Sequence, residues 1–138
     1  MQGEQFAIRV DKEIGPRELA ELMGSVGWGD PEGYDEDVIR RSLASYPFVA
    51  HARDSAGRLM GYISAFSDGA FSTFIGELVV RPEVQHQGIG TELLSAVEHQ
   101  YPGVPIYAHS FADNEPFFAE RGYRAGRRRQ SVLFKIPA

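Results

Sequence analysis

The chain has no cysteine among its 138 residues. A disulfide framework, a thiolate metal site and a cysteine nucleophile are therefore excluded. The four histidines, His51, His86, His99 and His109, fall in different expected elements and lack the spacing of metal ligands. We therefore expect no metal cofactor.

Positive charge is also scarce, because 14 lysines and arginines stand against 19 acids and give a net charge of −5. Nucleic acids are bound through clustered positive charge, so no nucleic-acid partner is expected and a cationic substrate fits better. No apolar run approaches the length of a membrane span, and the first residues do not resemble a signal sequence. We expect a soluble, cytoplasmic protein with no membrane partner, formed as a single domain over residues 1–138.

Apolar periodicity and turn-forming residues predict an α/β (α+β) fold in the order βααβββαβαββ. The predicted sheet is single, mixed and mostly antiparallel, with helices on both faces, because three hairpin-linked strands are followed by a strand–helix–strand crossover that requires parallel pairing. The predicted strands are 6–10, 48–53, 59–67, 73–80, 104–108, 123–124 and 130–136, and the predicted helices are 16–26, 35–45, 91–101 and 114–121.

Residues 85–90, Gln-His-Gln-Gly-Ile-Gly, join a predicted strand to a predicted helix. A glycine-bearing turn at a helix N-terminus can direct several backbone N–H groups at one anion, so a phosphate-bearing ligand is expected. A Walker loop is excluded because Gly90 is followed by Thr91 rather than lysine. A dinucleotide fingerprint fails because Leu93 occupies its third glycine position. A tight strand-to-helix connection without a ligand is the alternative.

Two segments of the chain resemble the GNAT superfamily of acyl-CoA-dependent N-acyltransferases. The first is Val79-Val80-Arg81-Pro82 followed by the Gln-x-x-Gly-x-Gly pattern of residues 85–90. The second is the run 114–123, which begins with Asn114, is rich in aromatic residues and ends in Gly122-Tyr123. The resemblance extends from about Phe6 to the C-terminus, and the expected element order is also the order of that family.

The resemblance implies that acetyl-CoA is the cosubstrate and that the reaction is direct acetyl transfer to a primary amine of a small molecule. Pyrophosphate would bind at the glycine loop, and the pantetheine arm would lie along the strand that precedes it. One amide, that of Val79 or Val80, would stabilise the oxyanion. The cofactor-binding residues implied are Leu78, Val79, Val80, Gln85, His86, Gln87, Gly88, Ile89, Gly90, Thr91, Asn114, Phe117 and Phe118.

Glu77 is the residue that we expect to act as general base, because an amine that is protonated near neutral pH must lose a proton before it attacks a thioester. Many members of the superfamily carry the base one to three residues earlier, where this chain has Phe74, Ile75 and Gly76. None of these side chains accepts a proton. Alternatively, Glu77 pairs with an arginine or a backbone amide and has a structural role.

Phe118 occupies the position at which the family often has a tyrosine that protonates the departing thiolate. Three possibilities remain open. Another group donates the proton, the thiolate leaves unassisted, or the chain is a non-catalytic acyl-CoA-binding or sensing module. The candidate replacement donors are Tyr107, His109, Ser110 and Tyr123.

Trp28 and Tyr34 lie among acidic residues between the first two predicted helices, where the family commonly forms the rim of the acceptor site. Aromatic and acidic groups together suit an amine through cation–π and charge attraction, so both residues are expected to bind substrate. A solvated loop and helix start is the alternative. A homodimer is the only macromolecular partner that we consider.

Overall fold

The computed structural model describes residues 5–110, 112–128 and 130–137. The chain falls into two compact units, Met1–Tyr107 and Ala108–Ala138. The first unit carries β1 (Phe6–Arg9), α1 (Pro16–Ser25), α2 (Glu36–Ser45), β2 (Phe48–Asp54), β3 (Leu59–Ser67), β4 (Thr73–Val80), α3 (Ile89–Gln100) and β5 (Ile106–Tyr107). The second unit carries α4 (Glu115–Ala119).

The sheet has five strands in the spatial order β1-β2-β3-β4-β5. The first three pairings are antiparallel and the β4–β5 pairing is parallel. The parallel pair follows from the α3 crossover, because a helix between two strands returns the chain in the same direction. The mixed, mostly antiparallel sheet predicted from the sequence is confirmed.

Helices cover both faces of this sheet, as predicted. A Cβ at Gly61 would lie 2.9 Å from Ile89 and 3.1 Å from Leu93, so Gly61 faces α3. The next residue, Tyr62, is buried in a cluster with Leu19 of α1 and Leu43 of α2. Successive strand residues point to opposite faces, so α3 lies on one face and α1 and α2 lie on the other.

β4 contains a bulge, which changes the face of the sheet to which its side chains point. Ser64 pairs with Glu77, but the next residue, Ala65, pairs with Ile75, so Gly76 is the extra residue. A Cβ at Gly76 would collide with the hydroxyl and ring of Tyr46. Glycine at this position therefore lets the strand pass under the tyrosine that follows α2.

The buried His51 and the part-buried Arg53 connect β2 to α1 and to the segment that precedes it. Arg53 donates to both carboxylate oxygens of Glu18, at 2.6 and 2.7 Å, and its Nε donates to His51 Nδ1 at 3.1 Å. Since Nδ1 accepts, the ring proton lies on Nε2, which donates to Asp11 Oδ1 at 2.7 Å. The hydrogen bond from His51 lowers the pKa of Asp11 to about 2.

The second unit is organised around the end of α4. Gly122 has φ 87°, and its N–H donates to Ala119 O at 3.1 Å, while the N–H of Tyr123 donates to Phe118 O at 3.0 Å. The rings of Phe118 and Tyr123 pack edge to face with centroids 5.5 Å apart. This is the hydrogen-bond pattern and hydrophobic contact of a Schellman motif, so Gly122 ends the helix as expected from the sequence.

Several predicted boundaries are wrong. The predicted strands 123–124 and 130–136 are absent, because these residues have no strand partner in the described part of the chain and Val132, Leu133, Phe134 and Ile136 are 61–89% exposed. Alternating apolar residues form a strand only where a neighbouring strand and a buried face are available. α3 begins two residues earlier than predicted, and β5 and α4 are shorter than predicted.

Within the described ranges, no helix is long and apolar enough to cross a membrane. Over the same ranges, no group of three or more His, Cys, Asp or Glu residues is arranged to hold a metal ion.

Candidate active site

β4 has one edge that is mostly unpaired within the first unit. It pairs with β3 along its length, but with β5 only at Thr73 and Phe74. From residue 75 to residue 80 the edge that faces away from β3 therefore has no strand partner among the described residues of this unit. Backbone groups on such an edge are available to an extended ligand.

The hydrogen-bond pattern fixes which amides point to that edge. The N–H of Arg81 donates to Met60 O at 2.9 Å, toward β3. In an antiparallel ladder every second N–H points to the same neighbour, so the amide of Val79 also points toward β3. The amides of Leu78 and Val80 therefore point toward the unpaired edge. Val79 and Val80 were the two residues whose amides were considered for the oxyanion. Only the N–H of Val80 points toward the unpaired edge, so Val80 is favoured.

The connection after β4 is held to the end of the strand. Pro82–Val84 forms one turn of 3₁₀ helix, and the side-chain amide of Gln85 donates to Val80 O at 3.0 Å. His86 has φ 69° and Gly88 has φ 90°, and both of these residues and Gln87 between them are exposed. Left-handed residues in turns are a feature of backbone concavities that bind anions.

Gly88 is the N-cap of α3, so Ile89, Gly90 and Thr91 are its first helical residues. The first hydrogen bond of the helix runs from Glu92 N to Gly88 O at 3.0 Å. The N–H groups of Ile89 and Gly90 therefore have no acceptor within the helix, and the helix dipole places positive potential at this end. Because the Ile89 side chain is 2% exposed, only its main chain can contact a ligand.

Glu77 is half-buried on the face of the sheet that packs against α1 and α2. Its carboxylate accepts a hydrogen bond from the hydroxyl of Ser64, whose oxygen in turn accepts from the Glu77 N–H at 3.0 Å. The hydroxyl of Tyr46 lies near the carboxylate, whose charge helps to raise the pKa of the tyrosine. Among the described residues Glu77 makes no ion pair, so the arginine pairing considered from the sequence is not found. The hydrogen bond that its carboxylate accepts comes from a neutral hydroxyl group, that of Ser64.

The tyrosines beside Glu77 remain protonated. Burial, followed by the charge of Glu77, raises the pKa of Tyr46 to about 12. The same two causes raise the pKa of Tyr62, which is buried on the same face. Both hydroxyls are therefore hydrogen-bond donors near neutral pH rather than acids that lose their proton.

Trp28 and Tyr34 lie together in the connection between α1 and α2. The hydroxyl of Tyr34 donates to the backbone oxygen of Trp28, and the Tyr34 side chain packs on the cluster of Leu19, Leu22 and Ile39. The Trp28 side chain is 38% exposed. Tyr34 thus shapes the loop that presents Trp28, and a role for either residue in substrate binding stays a prediction.

The remaining predicted cofactor residues lie in the second unit. Asn114 is the N-cap of α4 and is exposed, and its side chain makes no capping hydrogen bond. The guanidinium of Arg121 lies 3.8 Å from the centre of the Phe117 ring. Phe118 packs between Phe117 and Tyr123, with centroid distances of 5.2 and 5.5 Å. Phe118 therefore has a packing role between two rings within this unit, and its contact with the cofactor stays a prediction.

The model of the acetyltransferase (GNAT) family matches residues 16–123. The chain belongs to the GNAT family. The match includes β4, the connection to α3 and α4, so all of the predicted cofactor residues of this GNAT chain lie within the family domain.

Related proteins agree with this family. The GNAT chain is 30% identical over 79 residues to the uncharacterised N-acetyltransferase ycf52 of Porphyra purpurea, which covers 57% of the chain and 45% of that protein. It is 33% identical over 72 residues to GCN5-related N-acetyltransferase 3, chloroplastic, of Arabidopsis thaliana, covering 50% of the chain and 30% of that protein. The chain thus spans less than half the length of these curated relatives.

The fold also matches solved structures. The GNAT family acetyltransferase SP0256 of Streptococcus pneumoniae superposes with a TM-score of 0.75, covering 95% of this chain and 98% of that one, at 20% sequence identity. At this identity the likeness concerns the fold. It supports the GNAT arrangement of sheet and helices without assigning a substrate.

Three residues of this GNAT site were missed by the sequence analysis as functional candidates: Tyr46, Ser64 and Gly76. Tyr46 and Ser64 are 31 and 13 positions from Glu77, so no local spacing connects them to it. Gly76 did carry a signal, because an isolated glycine inside a strand pattern often marks a bulge. That signal, applied to β4, would have placed Glu77 at an irregular position of the strand.

Proposed function

We propose that this GNAT chain transfers an acetyl group from acetyl-CoA to a primary amine of a small molecule. One observation carries the proposal: the mostly unpaired edge of β4 is followed, after one short connection, by the N-terminus of α3. An extended acyl chain with a diphosphate needs a strand edge followed by an anion site. The residues present fit that requirement, because amides line the edge and the helix end carries positive potential.

The assignment of residues follows the same geometry. The amides near Gly88 and Gly90 would hold the pyrophosphate, and the backbone of Leu78 and Val80 would hold the pantetheine arm. Asn114, Phe117 and Phe118 stay predicted cofactor residues. Bound acetyl-CoA supplies an activated thioester, and no metal is proposed.

Glu77 would act as general base from the face of β4 that packs against α1 and α2. It takes a proton from the ammonium group, directly or through water, and the neutral nitrogen attacks the thioester carbon. The new C–N bond forms as the C–S bond breaks, the electron pair leaves with sulfur, and the nitrogen gives its second proton to the thiolate or to water. The amide of Val80 stabilises the developing oxyanion, an effect worth about 3 kcal/mol per donor in other enzymes.

The thiolate needs no side-chain acid in this scheme, because coenzyme A is a good leaving group. Phe118 has no proton to donate. Tyr107 in β5, which is exposed, and His109, Ser110 and Tyr123 in the second unit remain candidate donors. The packing of Phe118 against Tyr123 also keeps the alternative open that the chain is a non-catalytic acyl-CoA-binding or sensing module.

The cytoplasm stays the proposed location and a homodimer the proposed assembly, both on the sequence arguments above. The acceptor is proposed to be a cationic amine, because the chain is acidic overall and Glu77 has no cation beside it among the described residues.

The cofactor site is tested by Gly90→Asp, with Gly90→Asn as the control of equal shape. Gly90 is the second residue of α3, where an aspartate favours the helix but repels a diphosphate. We expect coenzyme A to raise the Tm of the wild type and of Gly90→Asn, and not that of Gly90→Asp. Equal shifts in the two variants would show that the N-terminus of α3 does not hold the pyrophosphate.

The reaction is tested by measuring free coenzyme A released from acetyl-CoA with a panel of primary amines. Release that depends on an amine, together with an acetylated product by mass spectrometry, supports the enzyme. Binding of acetyl-CoA without release for any amine supports the non-catalytic module instead.

A further inference from the structure

Ser64 is a polar residue in the interior of the sheet. It lies in β3, the central one of the five strands, and its side chain is fully buried. Serine is mostly found at protein surfaces, and a buried hydroxyl group that lacks a hydrogen-bond partner destabilises a fold. The partner of this hydroxyl group therefore indicates why a serine is present at this position.

The Ser64 hydroxyl makes two hydrogen bonds to the same residue, Glu77. Its oxygen accepts from the Glu77 N–H at 3.0 Å, and its proton is donated to Glu77 Oε2. A hydroxyl group has a single proton to donate, and here that proton is directed at the carboxylate. The main chain and the side chain of Glu77 are thus both bound to one oxygen atom.

The two hydrogen bonds lie next to the bulge in β4. Ser64 and Glu77 are directly opposite each other in the ladder, so their side chains share a face, and the register shifts immediately after Ser64. A bulge leaves one residue unpaired and disturbs the ladder locally, so Glu77 lies beside the least regular point of its strand. The contacts with Ser64 fix the orientation of Glu77 at this point.

Glu77 depends on such contacts because packing alone does not hold it. Its side chain is half-buried, it has several rotatable bonds, and no ion pair restrains it within the described ranges. A general base must lie within hydrogen-bond reach of the proton that it removes. A displacement of about 1 Å in an active site can lower a rate about 100-fold, so the orientation of this carboxylate affects the reaction.

We propose that Ser64 is the positioning residue of the general base. This inference rests on the proposed function, since it names a residue that acts on the same transfer through Glu77. The hydrogen bond to Oε2 holds the carboxylate in place, and Oε1 takes the proton from the ammonium group. Ser64 keeps its own proton throughout the reaction and touches neither the substrate nor the cofactor.

Removing the hydroxyl group tests this role. Ser64→Ala should lower kcat for a primary amine about tenfold, because the carboxylate then adopts more orientations. The KM for acetyl-CoA should stay unchanged, because the proposed cofactor contacts come from other residues. Thr73→Val is the matched control. It also removes a fully buried hydroxyl group from the sheet, but one that donates to Ser67 Oγ at 2.8 Å, so kcat should change little.

A double-mutant cycle with Glu77→Gln separates positioning from a purely structural role. If Ser64 acts through the carboxylate, Ser64→Ala should cause no further loss of kcat in the Glu77→Gln protein. Equal losses in both backgrounds, or an unchanged kcat in Ser64→Ala alone, would overturn the inference. If Ser64→Ala does not fold by circular dichroism, Ser64→Cys takes its place in the cycle, because a thiol is only a weak donor.

Amide hydrogen exchange, followed by NMR, tests the contact without requiring activity. The Glu77 N–H should exchange about tenfold faster in Ser64→Ala than in the wild type, because it loses an acceptor, and at the wild-type rate in Thr73→Val. Equal rates in the wild type and Ser64→Ala would contradict the inference. If the wild type releases no coenzyme A with any amine while the exchange rates differ as expected, the proposed transfer fails and the contact between Ser64 and Glu77 stands.

Discussion

Glu77 is a carboxylate that accepts a hydrogen bond from a hydroxyl group rather than from a guanidinium. The Ser64 hydroxyl orients its oxygen without neutralising its charge, and the hydroxyl of Tyr46 lies near it. This arrangement suits a group that must accept a proton from an ammonium ion and release it again.

Glu77→Gln should lower kcat/KM for a primary amine by about 100-fold or more near pH 7, because the general base is lost while the shape is kept. The deficit should shrink as the pH approaches the pKa of the amine itself, where the substrate no longer needs a base. A pH–rate profile of both proteins measures this. Glu83→Gln, an exposed acid just after β4, is the control. A deficit that is the same at every pH would make Glu77 structural.

The role of Glu77 as general base stays a prediction from the sequence, and the sequence did not reveal the surroundings of this residue. The choice of Glu77 depended on a few neighbouring residues. These showed a carboxylate just before an apolar strand end and a resemblance to a family. Tyr46 follows α2, and Ser64 lies in the middle of β3, so their contacts with Glu77 exist only once the strands have paired in register. Side-chain partners that come from separate elements leave no local pattern to read.

At the scale of elements, prediction succeeded where the pattern was local. The bounds of β3 and β4 agree with the sequence analysis, because the two strands are separated by a turn that contains strong turn-forming residues such as Asp68 and Gly69. The Asp68 side chain accepts three backbone hydrogen bonds in its turn, which lower its pKa. The start of α3 was wrong because Gly88, with φ 90°, acts as the N-cap, so Gly90 lies inside the helix.

Gly76→Ala tests the bulge in β4. The new Cβ would meet the hydroxyl and ring of Tyr46, and the ring cannot move easily because it packs on Phe66. We expect a loss of about 1–3 kcal/mol in the free energy of unfolding, measured with denaturant. The same change combined with Tyr46→Leu should cost less.

Gly33→Ala is the control for that cycle, since a Cβ at Gly33 would have its nearest neighbour at 4.0 Å. It should change the free energy of unfolding little. If Gly76→Ala costs as much in the Tyr46→Leu protein as in the wild type, the tyrosine is not what requires glycine at this position.

For the whole molecule, stability at low pH depends on the polar network between β2 and the β1–α1 connection. His51 is fully buried. Its polar partner Arg53 lies in the same strand, whereas its partner Asp11 lies 40 residues earlier in the chain. Arg53 lowers the pKa of Glu18 through its paired hydrogen bonds. Such contacts join segments that lie 35 to 40 residues apart in sequence, which is why alternation and helix periodicity could not reveal them.

Asp11→Asn should make the fold less sensitive to acid. The pKa of Asp11 is about 2 in the folded chain and 3.8 as its ordinary value, so its ionised form stabilises the fold above about pH 4. That contribution, about 1–2 kcal/mol for a partly exposed group, is lost as the pH falls toward 2. Denaturant unfolding at pH 6 and at pH 2.5 should therefore show a large difference between wild type and variant at pH 6 and a smaller one at pH 2.5. Glu21→Gln, an exposed acid of α1, should show no such change with pH. A difference that stays constant between the two pH values would mean that the hydrogen bond from His51 does not depend on the charge of Asp11.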